Sequence, residues 1–299
     1  MARPILKQTG KFKSFDGTSI YYEVRGTGEP IILIYGLACL INHWHFQIAH
    51  FSKRNRVIAF DIRGHHKSQI PQARENISLE AIAHDLPRLF RELGIKKAHF
   101  VGHSLGAQAL LKTYELYPEI FKSLTFINGF AKNPIKGMFG LDIIEPFFLF
   151  VKEQYEKNPA ILDTLWKTAV DNPISMVGAG LLGGFNLKLT QFKDIEIYAR
   201  GVSQIPLDVF IPFFEDMMKF QGEQVAATVK APTLIISGAR DNVTPFKFQK
   251  ELHRLIKGST LIRVPYGSHC TQLDFPEYIN LTIDEFIESL DEPAIDTRL

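Results

Sequence analysis

The stretch Gly102-His103-Ser104-Leu105-Gly106 follows the pattern Gly-x-Ser-x-Gly, in which a serine lies between two glycines. A run of strand composition, 97–101, leads into it, and a helix-forming run, 105–114, leads out. The sequence therefore predicts a nucleophile elbow, a sharp turn from a strand into a helix with strained backbone at the serine. Such a turn leaves the Leu105 N–H free to bind an oxyanion. The five residues alone also fit an ordinary glycine–serine turn, but the flanking elements favour the elbow.

The composition is that of an ordinary globular protein. Among 299 residues, 45% are apolar and 22% charged, and the net charge is +2. We see no basic stripe of the kind that binds nucleic acid. No apolar run approaches the ~20 residues that span a bilayer. Cys39 and Cys270 are too few for a disulfide framework and fit a reducing compartment. We therefore expect a soluble cytoplasmic protein without a nucleic-acid partner or stable membrane insertion.

Strand and helix patterns alternate on both sides of the elbow. A hairpin is predicted over 12–25, and buried strands over 30–35, 56–61 and 123–128. An amphipathic helix begins after Ser78 and ends at Gly94. The alternation stops near residue 130 and resumes at 232, and the intervening segment reads as helices without a convincing strand. This pattern predicts an α/β fold with a mostly parallel sheet flanked by helices.

With these features the chain resembles the α/β-hydrolase fold family over nearly its whole length. The resemblance implies a mostly parallel sheet of about eight strands, a core formed by residues 1–130 and 231–299, and a helical cap inserted at 131–230. In this family the nucleophile, the acid and the catalytic histidine follow one another in chain order. Serine at the elbow distinguishes the chain from the dehalogenase and epoxide-hydrolase relatives, which carry aspartate there.

Two loops resemble those that carry the family's acid and histidine. Gly238-Ala239-Arg240-Asp241-Asn242-Val243-Thr244-Pro245 matches Gly-x-x-Asp-x-x-x-Pro, and Pro265-Tyr266-Gly267-Ser268-His269-Cys270 follows the last predicted strand. The resemblance implies a triad of Ser104, Asp241 and His269. Asp241 also fits a helix cap, and in this family the loop can do both. A variant of the family places the acid after the strand that here ends at Asn128, but this chain has no carboxylate there.

The resemblance implies an oxyanion hole formed by the backbone N–H groups of Leu37 and Leu105. The histidine that usually precedes Gly36 is replaced by Tyr35, which leaves open whether Tyr35 braces this loop or lines the pocket. In the motif Asp-x-Arg-Gly-x-Gly-x-Ser, His66 replaces the second glycine. We interpret His66 as a loop residue that tolerates positive φ, rather than as a metal ligand.

The segment 131–230 is rich in apolar residues, most of which we expect to pack the cap onto the core. A cap of this size also supplies one wall of a pocket, and apolar walls favour apolar ligands. His103 and Trp44 are further pocket candidates, although Trp44 fits the core equally well. The glycine-rich stretch 178–184 fits a hinge, a loop that widens the pocket, or close helix packing. Cys39 and Cys270 fall on predicted active-site loops near each other, without an expected catalytic role.

The sequence thus predicts a serine hydrolase that cleaves a hydrophobic carboxylic ester through an acyl-enzyme. The same triad serves C–C bond hydrolases, thioesterases, lactonases and perhydrolases, and these alternatives stay open. A function of another class is also open: the chain could be a ligand receptor that keeps this triad and has only vestigial hydrolase activity. The resemblance implies no metal or cofactor and a small hydrophobic ester or acyl substrate as the partner. It leaves the oligomeric state open.

Overall fold

The computed structural model describes residues 7–181 and 184–290. Eight strands form one sheet in the order β1-β2-β4-β3-β5-β6-β7-β8. Their bounds are β1 Lys7–Lys13, β2 Ser19–Arg25, β3 Pro30–Ile34, β4 Arg56–Phe60, β5 Ala98–His103, β6 Phe121–Ile127, β7 Thr233–Gly238 and β8 Thr260–Val264. The predicted sheet of about eight strands is confirmed.

The first two strands are the antiparallel part of the sheet. β1 pairs with β2 as a hairpin that turns through Gly17, whose φ is 81°, and β2 pairs antiparallel with β4. All pairs from β4 to β8 are parallel. The carboxyl ends of the parallel strands therefore meet at one edge of the sheet, where such folds bind their ligands.

Twelve α-helices connect and cover the strands in the described ranges. They are α1 His45–Phe51, α2 Leu79–Leu93, α3 Leu105–Leu116, α4 Ile144–Lys157, α5 Pro159–Val170, α6 Pro173–Leu181, α7 Phe192–Ser203, α8 Leu207–Lys219, α9 Glu223–Thr228, α10 Lys247–Leu255, α11 Thr271–Asp274 and α12 Pro276–Ser289. A short 3₁₀ helix, Ile41–Trp44, precedes α1. In the part of the chain that the structure covers, no helix combines the length and apolar character needed to cross a bilayer.

Helix α2 begins and ends where the sequence predicts. Ser78 Oγ accepts a hydrogen bond from the Ala81 N–H at 3.3 Å, and Gly94 ends the helix with a φ of 65°. The helix continues through Pro87 and buries its apolar stripe against the sheet. Burial of this stripe supplies most of its stability, since the isolated helix would be marginal in water.

Helices α4 to α9 form an insertion between β6 and β7. Among the described residues of 131–230 there is no strand, as the sequence predicts. On helix α4, however, the side chains of Phe147 and Phe150 are 61% and 57% exposed to solvent, so not every apolar residue of the segment packs inward. In the glycine-rich stretch 178–184, Gly178 belongs to α6, whereas Leu182 and Gly183 lie outside the described residues.

Candidate active site

Ser104 lies at a strained turn between β5 and α3. Its φ and ψ are 54° and −122°, a conformation that L-residues rarely adopt. The flanking glycines are required by close backbone contacts. A Cβ at Gly102 would lie 2.9 Å from the Gly106 oxygen, and one at Gly106 would lie 2.4 Å from the Ile34 oxygen. The stretch is therefore a strand-to-helix elbow, which presents Ser104 at the carboxyl edge of the sheet.

Asp241 and His269 lie on the loops that follow β7 and β8. His269 Nδ1 donates a hydrogen bond to Asp241 Oδ2 at 2.9 Å, and the carboxylate is buried. Asp241 Oδ1 accepts hydrogen bonds from the Val243 and Thr244 N–H groups, each at 2.8 Å. The Thr244 hydroxyl donates to Oδ2 at 2.7 Å. Asp241 thus both holds the imidazole and organises its own loop, the two roles that the sequence left open.

Ser104 and His269 line the same cavity. No hydrogen bond joins their side chains within residues 7–181 and 184–290. Contacts of this kind in active sites are often long and tighten only when substrate binds. The shared cavity therefore brings together the serine and the imidazole that Asp241 holds, so that a substrate bound there would meet both.

Asn128 connects the two loops, a function that its neighbours in the sequence do not indicate. Its amide nitrogen donates to the His269 carbonyl at 2.7 Å and to the Ser268 carbonyl at 3.0 Å. Its Oδ1 accepts from the Gly238 N–H at 2.7 Å. Asn128 has a φ of 50°, which asparagine tolerates better than most residues. The Asn-Gly pair at a strand end was the available signal for this strained position.

Two backbone N–H groups near Ser104 are candidates for oxyanion binding. Leu105 is the first residue of α3, so its N–H has no acceptor within the helix. Leu37 lines the cavity on the loop after β3. That loop approaches the elbow so closely that a Cβ at Gly36 would lie 2.9 Å from Ser104 Cβ. The loop geometry accordingly brings Leu37 near the serine.

His65, rather than Tyr35, braces the Leu37 loop. Its Nε2 accepts a hydrogen bond from the Ala38 N–H at 3.2 Å, and its Nδ1 donates to the Arg63 carbonyl at 3.2 Å. Burial lowers the pKa of His65 to about 3, so the ring is neutral and can accept this bond. The neighbouring His66 has a φ of 45° and bonds the Cys39 carbonyl at 2.9 Å, as expected of a loop residue.

Of the alternatives that the sequence leaves open for Tyr35 and Trp44, the structure has the buried one for both. Tyr35 is fully buried, its hydroxyl accepts from the Ile62 N–H at 2.8 Å, and it donates to Asp61 Oδ1 at 3.3 Å. It therefore ties the ends of β3 and β4 together, away from the cavity. Trp44 is also fully buried and packs edge-on against His103. Of the three candidates, His103 is the one that reaches the cavity wall.

The cavity beside Ser104 has a volume of about 300 Å³. Its side walls are apolar and come largely from the insertion helices and the segment before them. These lining residues are Phe130, Pro134, Met138, Phe139, Trp166, Phe185, Tyr198, Val202, Phe210, Phe214 and Met217. No lysine, arginine, aspartate or glutamate of the described chain lines it. A larger, open cleft of about 1110 Å³ lies along α10, but it contains none of the residues described above.

Cys39 and Cys270 also line the cavity, and both are buried free thiols. Burial raises the pKa of Cys39 to about 12 and raises that of Cys270 as well. Both groups are therefore protonated near neutral pH and are weak nucleophiles. The hydroxyl of Tyr198 hydrogen-bonds the Cys39 sulfur.

Comparison with known proteins matches this arrangement to one family. A family model described as alpha/beta hydrolase fold matches residues 29–276. Epoxide hydrolase 1 of Caenorhabditis elegans is 25% identical, over 89% of this chain and 67% of that protein. A putative carbamate hydrolase RutD of Azorhizobium caulinodans is 22% identical, over 91% of this chain and 96% of that protein. The solved structure of a thermophilic esterase from Thermogutta terrifontis has a TM-score of 0.74 at 20% identity, covering 95% of this chain and all of that one.

Proposed function

Since the chain belongs to the alpha/beta hydrolase fold family, we propose that it is a serine hydrolase that cleaves a hydrophobic carboxylic ester through an acyl-enzyme. One observation carries this proposal. Ser104, at a strained elbow, shares an apolar cavity with His269, whose Nδ1 lies 2.9 Å from the buried carboxylate of Asp241. A nucleophile, a base and a group that orients the base are the three parts that acyl transfer through serine requires.

The proposed mechanism uses these residues in two half-reactions. His269 Nε2 accepts the Ser104 proton while Oγ attacks the ester carbonyl, and the N–H groups of Leu37 and Leu105 bind the oxyanion. The tetrahedral intermediate then breaks its bond to the alcohol, which leaves with the proton from His269. Water repeats the sequence on the acyl-enzyme and releases the acid. Asp241 fixes the imidazole tautomer and stabilises the imidazolium without taking the proton.

We further propose that residues 131–230 form a cap domain on a core made of residues 1–130 and 231–299. The apolar residues that this segment contributes to the cavity support the assignment. Because no charged side chain of the described chain lines the cavity, a carboxylate or ammonium group on the substrate would lose its hydration without a partner. The substrate is therefore a small, neutral, hydrophobic ester.

The epoxide hydrolase and the putative carbamate hydrolase compared above are named for substrates other than carboxylic esters, which raises other candidate reactions for this site. Ser104 argues against epoxide hydrolysis, because the epoxide-hydrolase relatives carry aspartate at the elbow. Enzymes that cleave thioesters, lactones and C–C bonds use the same triad. A ligand receptor of this family would keep the triad but turn over substrate slowly. The buried free thiols of Cys39 and Cys270 support a location in a reducing compartment, and we propose the cytoplasm.

The test is a rate series with p-nitrophenyl esters from acetyl to dodecanoyl. The blank is the Ser104→Ala protein, and Ser123→Ala, a buried serine on β6 that bonds His99, is the matched control. We expect hydrolysis by the wild type and the control but not by Ser104→Ala, with an optimum chain length set by the cavity. Turnover that survives in Ser104→Ala would disprove the nucleophile. Absence of ester turnover in the wild type would favour one of the other acyl chemistries or the receptor.

A further inference from the structure

Cys39, His43 and His103 form a buried cluster beside the elbow that the proposed mechanism does not use. One ligand atom from each side chain lies within 4.8 Å of the other two. The three residues are 2%, 3% and 1% exposed. A thiol and two imidazoles offer the sulfur and nitrogen ligands that zinc prefers. Cys39 and His103 also line the cavity next to Ser104, which connects the cluster to the active site.

Both imidazoles of the cluster have a buried nitrogen without a partner. His103 Nε2 donates its proton to the His269 carbonyl at 2.8 Å, so its Nδ1 carries a lone pair, and no described group bonds it. His43 Nε2 contacts the side-chain amide of Gln272, and its Nδ1 is likewise unbonded among the described residues. An amide presents either its oxygen or its nitrogen at such a contact. With the amide oxygen accepting from Nε2–H, His43 Nδ1 also offers a lone pair.

An unpartnered nitrogen in a dry interior is costly, because it has lost its bond to water without replacement. Burial lowers the pKa of His43 to about 3 and that of His103 well below its ordinary value. A metal binds an imidazole through a ring nitrogen that carries a lone pair, which is what the unbonded Nδ1 atoms of both rings offer. The hydroxyl of Tyr198, bonded to the Cys39 sulfur, can stabilise a thiolate there in the way that outer-shell groups support metal ligands.

We propose that Cys39, His43 and His103 bind one Zn²⁺ ion, with the fourth coordination position open to the active-site cavity. The Cys39 thiol loses its proton to solvent when the Zn–S bond forms. Tetrahedral zinc with Zn–N near 2.0 Å and Zn–S near 2.3 Å holds its ligand atoms about 3.3–3.6 Å apart. Zinc binding would therefore shorten the distances between the ligand atoms by about 1 Å or a little more, which rotation of the side chains can supply. This site goes beyond the family resemblance, which implies no metal.

Zinc at this position would inhibit the proposed hydrolase. The His103 ring centroid lies 4.8 Å from that of His269. A bound dication therefore opposes the imidazolium that His269 becomes during acyl transfer, because like charges in a low dielectric repel strongly. This consequence rests on the proposed function, whereas zinc binding itself does not. The two can fail separately.

The test is equilibrium dialysis of the full chain against Zn²⁺, with metal content measured per chain. Cys39→Ser and His43→Gln remove ligands of the cluster, and Cys270→Ser is the matched control because it removes the other buried cavity thiol. We expect about one tightly bound zinc in the wild type and in Cys270→Ser, and a loss of affinity of at least about tenfold in each ligand variant. Co²⁺ serves as a second probe, since a thiolate–cobalt absorption band should appear in the wild type and in Cys270→Ser but not in Cys39→Ser.

Circular dichroism of each variant separates lost binding from lost folding. Zinc should also slow ester hydrolysis reversibly in the wild type, and Cys39→Ser should need at least about tenfold more zinc for the same inhibition. A folded wild type that binds no zinc would overturn the proposal, as would a Cys39→Ser protein that binds zinc like the wild type. If zinc binds but no ester is hydrolysed, the site stands and the proposed function fails.

Discussion

The side-chain amide of Asn128 donates a hydrogen bond of 2.7 Å to the backbone carbonyl of His269. The same nitrogen bonds the Ser268 carbonyl, and the amide oxygen bonds the Gly238 N–H. One side chain at the end of β6 thus fixes the start of the Asp241 loop and the backbone of the His269 loop. Separation of the base from its orienting carboxylate would require this buried network to break.

Replacement of Asn128 by aspartate should lower both stability and activity. The amide nitrogen becomes a carboxylate oxygen, which faces the Ser268 and His269 carbonyls and cannot donate to either. Loss of the bonds to these two carbonyls and to the Thr271 hydroxyl, together with an unpaired buried charge, should cost about 3–5 kcal/mol of unfolding free energy. Urea unfolding and ester turnover measure the effect. Asn133→Asp is the matched control, because the Asn133 Oδ1 accepts from the Ile135 N–H and an aspartate keeps that acceptor. An Asn128→Asp protein as stable as the control would contradict this account.

Asp241→Asn tests the orientation of the imidazole. The asparagine can keep the loop contacts of Oδ1, but its amide favours the wrong tautomer of His269. By analogy with other triads we expect kcat to fall by about 10⁴ while the fold is retained. Steady-state kinetics on the best p-nitrophenyl ester measures the loss, with exposed Asp142→Asn as the control. A loss under tenfold would mean that another acid orients the base.

His65 should make stability depend on pH. Its pKa is about 3 in the folded chain and near 6.5 when unfolded, so below pH 6.5 the unfolded state binds a proton that the folded state excludes. This residue therefore lowers the unfolding free energy by up to about 1.4 kcal/mol for each pH unit between 6.5 and 3. His65→Gln keeps an acceptor for the Ala38 N–H without titrating, so its unfolding free energy should fall less steeply from pH 7.5 to 5. Parallel curves for the two proteins would refute the assignment.

Trp166→Ala should enlarge the cavity at the wall formed by the insertion. The Trp166 ring packs against Phe210 with centroids 4.9 Å apart, and both residues line the cavity. Removal of the indole should move the preferred acyl chain to greater length. The loss of stability should be smaller than the ~3–5 kcal/mol of a fully buried aromatic side chain, because Trp166 is partly exposed. The chain-length series with this variant measures the shift. Phe90→Ala, a core change on α2 outside the cavity, is the control and should leave the preference unchanged.

The sheet, the hairpin and the limits of α2 could be predicted from sequence because their signals are local. Alternating patterns, Ser78 as a cap and Gly94 at the helix end act within a few residues. The elbow was also local, and its flanking elements were enough to interpret Gly-x-Ser-x-Gly. Family resemblance then directed attention to Asp241 and His269.

Features that depend on contacts between distant segments could not be predicted. Tyr35 and Trp44 are aromatic residues of the kind that line pockets. They lie in the core because of how β3 packs against β4 and against the following loops, which the local sequence does not reveal. In the sequence, Asn128 stands out only because a variant of the family has a carboxylate near this position. Its bonds to the loops after β7 and β8 cannot be predicted from the neighbouring residues. The grouping of Cys39, His43 and His103 likewise appears only when the elbow meets the loop after β3.

The most direct test of the central claim is intact-protein and peptide mass spectrometry after brief exposure to a p-nitrophenyl phosphonate ester. An activated serine should displace p-nitrophenol from phosphorus, and the phosphonylated serine that forms is a stable mimic of the tetrahedral intermediate. We predict one adduct per chain, on the peptide that contains Ser104, and no adduct in Ser104→Ala. An adduct on Cys39 or Cys270, or ester turnover by a wild-type protein that the phosphonate does not modify at Ser104, would contradict the assignment of Ser104 as the nucleophile.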